Sequence, residues 1–349
     1  MAGNKRRFEL AAAPVAGKLA ALVRGSTLLT IISWVVAALI AGLVLYYGYF
    51  ALLTLRIAAS AERKVAPAGK FVDIDGNRIH YVEAGKGRPI LFIHGLGAQL
   101  HQFRHPLFAR FEKDYRIVAL DRPGSGYSVR ASGAGAGISE QARLIVAFMD
   151  RLGLEKPLLV GHSLGGIVAL AIAIEHPGKA AGLALLSPYT RYSAKIGPEF
   201  APLQIEQPWR RRLVAYTTAI PDALKTSPQI LDFIFGPQAM PADYPIQGGG
   251  MLGLRPSHFY ATSSDLMDSA IDMERLQARF GEISVPVGIL FGTADRVLPH
   301  KPHGVAMKDK IAGLELELLE GIGHMPQFTA TDAVEAFIRR MAAKAFAET

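Results

Sequence analysis

The sequence contains no cysteine among its 349 residues. The chain therefore forms no disulfide bond, offers no thiolate nucleophile and has no cysteine-based zinc site. This absence excludes cysteine chemistry but leaves the cellular compartment open.

Acidic residues are also fewer than basic ones, 30 against 38, so that the formal net charge is +8 at pH 7. A basic chain can indicate nucleic-acid binding when its charge forms a stripe across a folded domain. Here the first 64 residues hold eight Lys and Arg against two acids, which leaves +2 for the remaining 285. The charge thus argues against a nucleic-acid partner and favours a segment that attaches to a membrane.

Charge is missing altogether from the 31 residues between Arg24 and Arg56. Within this run, Leu28 to Phe50 is almost purely apolar and carries three tyrosines near its C-terminal end. A bilayer core needs about 20 helical residues, and tyrosine suits the membrane interface. We predict a basic tail at 1–25, a transmembrane helix at 26–55 and a linker at 56–69.

A cleaved signal peptide is the alternative for this segment, because Ala59-Ser60-Ala61 has the form of a cleavage site. The apolar run is far longer than the roughly 7–15 residues of a signal-peptide core, so we favour an uncleaved signal anchor. Five basic residues precede the span and four follow it within residues 56–70. The positive-inside rule then predicts a cytoplasmic N-terminus and places the rest of the chain outside the cytoplasm.

From residue 70 onward, short apolar runs alternate with amphipathic helical patterns. Two runs that flank Asp75-Gly76-Asn77 predict a β-hairpin. The alternation predicts an α/β fold with a mostly parallel, doubly wound sheet. The expected strands are 71–74, 78–82, 90–93, 116–120, 158–160, 183–186, 287–291 and 314–319, and the expected helices are 102–111, 139–152, 164–175 and 333–345.

The alternation is interrupted from residue 189 to 281 by an insert that is rich in proline, arginine and aromatic residues. Its pieces have helical patterns. We therefore predict a core in two parts, at 70–188 and 282–349, with a helical insert between them. Gly248-Gly249-Gly250 inside the insert predicts either a mobile loop or a solvent loop without function.

One motif in the first part of the core carries chemistry. Residues 161–166 read Gly-His-Ser-Leu-Gly-Gly, between an apolar strand and a helix. This pattern predicts a sharp turn that presents the Ser163 hydroxyl at the sheet edge, and the turn requires glycine at positions 161 and 165.

Two further residues follow later strands. Asp295 comes after the strand at 287–291, and His324 comes after the last strand. Carboxyl ends of parallel strands meet at one edge of a sheet, where such folds place their sites. A serine hydroxyl needs a neutral imidazole as base, and a buried carboxylate holds that imidazole in one tautomer. We predict Ser163 as nucleophile, His324 as base and Asp295 as the orienting acid.

Together with the upstream His94-Gly95-Leu96-Gly97, these motifs resemble the α/β-hydrolase family from about residue 70 to the end. The resemblance implies that the insert at 189–281 is a cap over the active site. It implies an oxyanion hole formed by the backbone N–H groups of Leu96 and Leu164. It also implies a small-molecule ester or acyl substrate, cleaved through an acyl-enzyme without a metal or organic cofactor.

Other histidines and one aspartate compete for these roles. His94 is an alternative base and Asp121 an alternative acid, although the family resemblance implies that both support loops. His162 is expected to pack or hydrogen-bond locally. His101 and His105 have the spacing of two metal ligands on one helix face, but no third ligand accompanies them.

Several functions remain open beside a membrane-anchored serine esterase or lipase-like enzyme. A serine at the turn speaks against epoxide hydrolase and haloalkane dehalogenase chemistry, in which this family uses an aspartate. Carbon–carbon bond hydrolases have the same triad and cap, and cofactor-free perhydrolases have the triad but typically lack a large cap. A membrane-tethered binding or sensing module is the non-enzymatic alternative. The substrate, its acyl length and the oligomeric state stay open.

Overall fold

The computed structural model describes residues 13–192 and 197–347, with side chains from residue 27 onward. The chain divides into two compact units, one that ends at Ala51 and one that begins at Leu52. Residues 1–12 of the predicted basic tail lie outside the described residues. The rest of that tail is helical, because helix α1 spans Ala13–Lys64.

Helix α1 is longer than the transmembrane helix predicted at 26–55. By length and composition it can cross a membrane, and none of its most apolar stretch is buried in the protein. The prediction of a linker at 56–69 was wrong for its first nine residues, because the helix continues to Lys64. Tertiary contacts hold this last part in place: Thr54 donates to the Thr217 carbonyl at 2.5 Å, and Glu62 pairs with Arg255 at 2.7 Å.

The sheet of the second unit confirms the predicted α/β fold. In the described residues it has eight strands in the order β1-β2-β4-β3-β5-β6-β7-β8. The first two strands form the predicted hairpin and pair antiparallel, as do β2 and β4, while the other pairs are parallel. The strands are β1 Lys70–Ile74, β2 Asn77–Ala84, β3 Pro89–Ile93, β4 Arg116–Leu120, β5 Leu158–His162, β6 Gly182–Leu186, β7 Val287–Gly292 and β8 Glu315–Leu319.

Helices cover both faces of this sheet. Strand β3 illustrates why. Ile90 and Phe92 pack into one hydrophobic core, and Leu91 and Ile93 pack into the other. Alternate residues of a strand point to opposite faces, so an entirely apolar strand must be covered on both. The remaining helices are α2 His101–Phe111, α3 Ile138–Leu152, α4 Leu164–Glu175, α5 Pro208–Tyr216, α6 Ala219–Phe235, α7 Pro256–Gln277, α8 His300–His303, α9 Pro326–Thr329 and α10 Thr331–Ala347.

The insert between β6 and β7 is helical, as predicted, and contains α5, α6 and α7. Its triple glycine is not a solvent loop, because Gly248 and Gly249 are buried. The Gly248 carbonyl accepts a hydrogen bond from Gln99 Nε2 at 2.8 Å, and the Tyr244 ring packs against Gly250. Such close packing against side chains explains the run of residues that lack a Cβ.

A buried ion pair attaches the insert to the core. Arg122, in the loop after β4, donates to Asp265 of α7 at 2.6 Å, and both side chains are completely buried. Arg130 donates to the other oxygen of the same carboxylate. Arg122 also donates to the backbone carbonyls of His94 and Gly95, at 3.0 and 2.9 Å. Removing one partner of such a buried pair costs about 3–5 kcal/mol, so this network fixes the insert to the loops after β3 and β4.

Candidate active site

Ser163 occupies the turn between β5 and α4 in a strained backbone conformation, with φ 52° and ψ −118°. A Cβ on Gly165 would lie 2.0 Å from the Ile93 carbonyl oxygen, and one on Gly161 would lie 2.5 Å from the Gly165 oxygen. The predicted need for glycine at both positions is therefore confirmed. A strained residue that its surroundings hold in place is typical of a functional site.

Asp295 and His324 follow β7 and β8 and form a hydrogen bond of 2.7 Å between Oδ2 and Nδ1. The Asp295 side chain is fully buried and that of His324 is 6% exposed. The other oxygen, Oδ1, accepts from the N–H groups of Val297 and Leu298, each at 2.8 Å. Burial alone would raise the pKa of Asp295. The His324 ring and the two N–H groups outweigh burial, so the pKa of this carboxyl lies below its usual value.

His162 connects the serine turn to the His324 loop. Its Nε2 bonds to the His324 carbonyl at 2.8 Å, and the two ring centroids are 4.8 Å apart. Its Nδ1 meets Gln102 Nε2 at 2.5 Å. Burial lowers the pKa of His162 to about 3, so the ring is neutral near pH 7, with Nε2–H as donor and Nδ1 as acceptor. His162, the residue before Ser163 in the chain, thus links the serine turn to the His324 loop through one uncharged ring.

One predicted oxyanion donor directly follows the serine, and the other lies in a loop that approaches it. Leu164 opens helix α4, whose N-terminus carries a partial positive charge. The loop after β3 approaches closely, since a Cβ on Gly95 would lie 3.1 Å from Ser163 Cβ, and Gly97 has a φ of +63°. None of the backbone hydrogen bonds in turns and loops of the described residues uses the N–H of Leu96 or Leu164. Both N–H groups are therefore free of such bonds.

The two alternative catalytic residues are occupied elsewhere. His94 Nε2 accepts from the Arg122 N–H at 2.9 Å, and burial, then the Arg122 charge, holds the pKa of His94 well below its usual value. Asp121 accepts from His80 Nδ1 at 2.7 Å and from the Leu100 N–H at 2.8 Å. Both side chains tie loops together, in the way that the family resemblance implied.

The pair of histidines with metal-ligand spacing has no partner set. His105 contacts Asp243 at 2.9 Å, and His101 is buried. Across the residues with described side chains, no group of three His, Asp or Glu residues could hold a metal ion.

The sequence did not reveal two glutamines that position the site. Gln102 contacts His162 and also accepts from the Gly95 N–H at 3.4 Å. Gln238, in the insert, donates to the Gly321 carbonyl at 2.8 Å and accepts from the Gly323 N–H at 2.9 Å. It therefore fixes the loop that carries His324. No local pattern distinguishes these glutamines from others, because Gln102 contacts His162 at a separation of 60 residues and Gln238 contacts the His324 loop at 83 and 85.

Comparison with known proteins agrees with the fold described above. The family model for the α/β hydrolase fold matches residues 88–331, which is well over half of the sequence. The chain belongs to the α/β-hydrolase family. The match begins at β3 and ends at the start of α10, so it includes Ser163, Asp295 and His324.

Individual relatives of this α/β-hydrolase are hydrolases of several kinds. The 2-hydroxy-6-oxo-6-phenylhexa-2,4-dienoate hydrolase of Burkholderia cepacia is 27% identical over 78% of the chain and 95% of its own length. Haloalkane dehalogenase 2 of Mycobacterium bovis is 39% identical, over 33% of the chain and 40% of its own length. Several curated relatives match over only 34% to 40% of their length.

A solved structure extends the similarity toward the N-terminus. The crystal structure of a membrane phospholipase A, described as a bacterial virulence factor, is 26% identical, with a TM-score of 0.62. The similarity covers 90% of this α/β-hydrolase and 98% of the phospholipase. Another neighbour, a putative aryl esterase from Burkholderia cenocepacia at 20% identity and TM-score 0.66, shares the fold.

Proposed function

We propose that the protein is a membrane-anchored serine hydrolase that cleaves carboxylic esters of apolar, lipid-like acyl groups. The hydrogen bond between Asp295 and His324 carries the proposal, together with a serine on a strained turn whose neighbour His162 contacts the His324 loop. It orients the imidazole with Nδ1 as donor, which leaves Nε2 unprotonated and able to accept a proton.

The reaction follows from these positions. Ser163 attacks the ester carbonyl while His324 takes the hydroxyl proton, and the N–H groups of Leu96 and Leu164 stabilise the oxyanion. His324 returns the proton to the leaving alcohol, and an acyl-enzyme remains on Ser163. Water, deprotonated by the same histidine, attacks this ester and releases the acid. Asp295 stays ionised and stabilises the imidazolium, which its depressed pKa allows near neutral pH.

The dehalogenase relative does not change this assignment. Its similarity covers less than half of its own length, and the turn in this chain carries a serine. A serine alkoxide suits acyl transfer, in which the acyl-enzyme is readily hydrolysed.

The membrane anchor is the second part of the proposal. Its support is the uncharged run between Arg24 and Arg56, the length of α1 and the similarity to a membrane phospholipase A. An anchored protein should stay in the pellet after carbonate washing and be released by detergent. A C-terminal reporter that works only outside the cytoplasm should be active, whereas activity of a cytoplasm-only reporter would reverse the proposed orientation.

Carbon–carbon bond hydrolysis is the second candidate. It is favoured by the Burkholderia cepacia relative, which matches along almost its whole length. This chemistry cleaves a vinylogous diketone with the same three residues.

Substrate turnover separates the two candidates. The purified full chain, in nonionic detergent, should hydrolyse nitrophenyl esters from acetate to palmitate, with an optimum that reports the length of the acyl pocket. A vinylogous 1,5-diketone should react more slowly by kcat/KM. The reverse order, with both activities lost in Ser163→Ala, would replace the ester assignment by carbon–carbon hydrolysis.

A further inference from the structure

A cavity of about 400 Å³ lies where α1 ends, α2 begins and the insert packs against both. Its walls include Lys64 at the end of α1, His101, Arg104 and His105 on α2, and Gln247 of the insert. The volume falls within the range of small-molecule sites, roughly 300–1,000 Å³. The proposed hydrolysis uses none of these side chains, and we refer to the space as the Lys64–Arg104 cavity.

The walls of this cavity carry the positive charges of Lys64 and Arg104. No Asp or Glu is among the lining residues. Within residues 27–192 and 197–347, Lys64 and Arg104 form no ion pair with a carboxylate. Asp243 is paired with His105, another residue of the cavity wall, at 2.9 Å. Two cations that share a concave space without a counter-ion favour an anionic ligand.

The buried carboxylate of Asp121 interacts electrostatically with His101, but its oxygens already accept hydrogen bonds. They accept from His80 Nδ1 and from the N–H groups of Leu100 and Tyr127. This carboxylate therefore belongs to the loop network and does not serve as counter-ion for the cavity.

His101 provides a second, independent indication. It lies in the cavity wall and is only 7% exposed, and its Nε2 has no hydrogen-bond partner among the described residues. Buried polar atoms in proteins nearly always have a partner. Burial lowers the pKa of His101 to about 4, so the ring is neutral near pH 7 and has one N–H to donate.

The partial charges of the helix ends around the cavity also favour an anion. Helix α2 begins at His101, so its partially positive N-terminus faces this region. The negative end of α1 is partly neutralised, because the Tyr127 hydroxyl donates to the Val65 carbonyl at 2.5 Å.

We propose that the Lys64–Arg104 cavity binds the phosphate group of an anionic ligand. A lysine ammonium, an arginine guanidinium and an imidazole N–H together offer more hydrogen-bond donors than the two oxygens of a carboxylate can accept from. A phosphate presents three or more oxygens in different directions, and lysine and arginine are its common ligands. The phosphate could be supplied by a lipid headgroup or by a soluble phosphate ester, and the experiment separates these sources.

The test measures binding to the full-length Ser163→Ala protein in nonionic detergent, by titration calorimetry with two probes. The soluble probe is glycerol 3-phosphate, and the lipid probe is dioctanoyl phosphatidylglycerol. Dioctanoylglycerol, which has the same acyl chains but no phosphate, controls for binding at the ester site. Turnover is not measured, so a failure of the proposed hydrolysis would not affect the result.

Replacing both cations, Lys64→Gln with Arg104→Gln, should weaken binding of the phosphate probes at least roughly tenfold, since the hydrogen bonds of both charged groups to phosphate are lost. The matched control, Lys113→Gln with Lys308→Gln, removes two exposed charges outside the cavity and should leave affinity unchanged. Loss of binding for both probes assigns a soluble phosphate ester, and loss for the lipid probe alone assigns a headgroup.

Three results would overturn the proposal. The first is that neither phosphate probe binds the Ser163→Ala protein. The second is that dioctanoylglycerol binds as tightly as the phospholipid and the soluble probe does not bind. The third is a cavity variant, shown to be folded by circular dichroism, that binds the phosphate probes as tightly as the folded control variant does.

Discussion

At the scale of single residues, the protonation of the site depends on one carboxylate. Asp295 is fully buried, yet its pKa is lowered because it bonds to His324 and to two backbone N–H groups. The same bond selects the tautomer of His324. An amide at this position would keep the shape and lose both effects.

We therefore expect Asp295→Asn to reduce kcat/KM for nitrophenyl esters by roughly 10³–10⁴-fold, because the imidazole would be held in the wrong tautomer and its cation left without a counter-charge. Steady-state kinetics measures the loss, and circular dichroism checks the fold. The exposed Asp243→Asn serves as the control and should retain activity. A loss smaller than tenfold in Asp295→Asn would assign the orienting role to another group.

At the residue scale, the sequence predicted positions where each segment is encoded locally. Ser163, Asp295 and His324 were expected after strands, and they follow β5, β7 and β8, while their catalytic roles stay a prediction. Gln102 and Gln238 were not predicted, because a glutamine that bonds across the fold leaves no local pattern. Their importance becomes visible only when His162 and the His324 loop are placed beside them.

At the scale of elements, the strand and helix predictions succeeded because each segment carries its own signal. Helix α4 has the predicted bounds, since a glycine turn begins it and a proline follows its C-terminal end. The linker prediction failed for residues 56–64 because its charged and small residues resemble a solvent-exposed segment. Contacts of Thr54 and Glu62 with Thr217 and Arg255 keep that segment helical, and such partners cannot be found from local sequence.

The serine turn gives a prediction at this scale. Gly165→Ala should destabilise the protein by several kcal/mol or prevent folding, because the added methyl would lie 2.0 Å from the Ile93 carbonyl oxygen. Gly135→Ala is the matched control, since a Cβ there meets nothing within 4 Å. Thermal unfolding in detergent measures both. Equal midpoints for the two variants would contradict the tight strand–turn–helix packing.

At the scale of the whole molecule, the protein buries several histidines in neutral form. Burial lowers the pKa to about 3 for His162 and to about 4 for His101 and His303, and it also lowers the pKa of His94 and His258. In the unfolded chain these groups take up protons near pH 6.5. Below that pH the unfolded state therefore binds more protons than the folded state, and acid favours unfolding.

The free energy of unfolding should accordingly fall as the pH drops from about 6.5 toward 4, by up to about 1.4 kcal/mol per pH unit for each of His101, His162 and His303. Unfolding midpoints in nonionic detergent at pH 7.5, 6.5, 5.5 and 4.5 would measure this slope. His303→Asn should reduce this slope. A midpoint that is constant between pH 7.5 and 4.5 would contradict the neutral burial of these rings.

The central claim is that Ser163 is the nucleophile of an ester hydrolase, and one measurement tests it most directly. The purified full chain and its Ser163→Ala variant are compared in nitrophenyl ester hydrolysis, with fluorophosphonate labelling mapped by peptide mass spectrometry. We predict a covalent adduct on Ser163 and a loss in kcat of roughly 10³-fold or more in the folded variant. A folded Ser163→Ala protein that keeps nearly full activity would contradict the account.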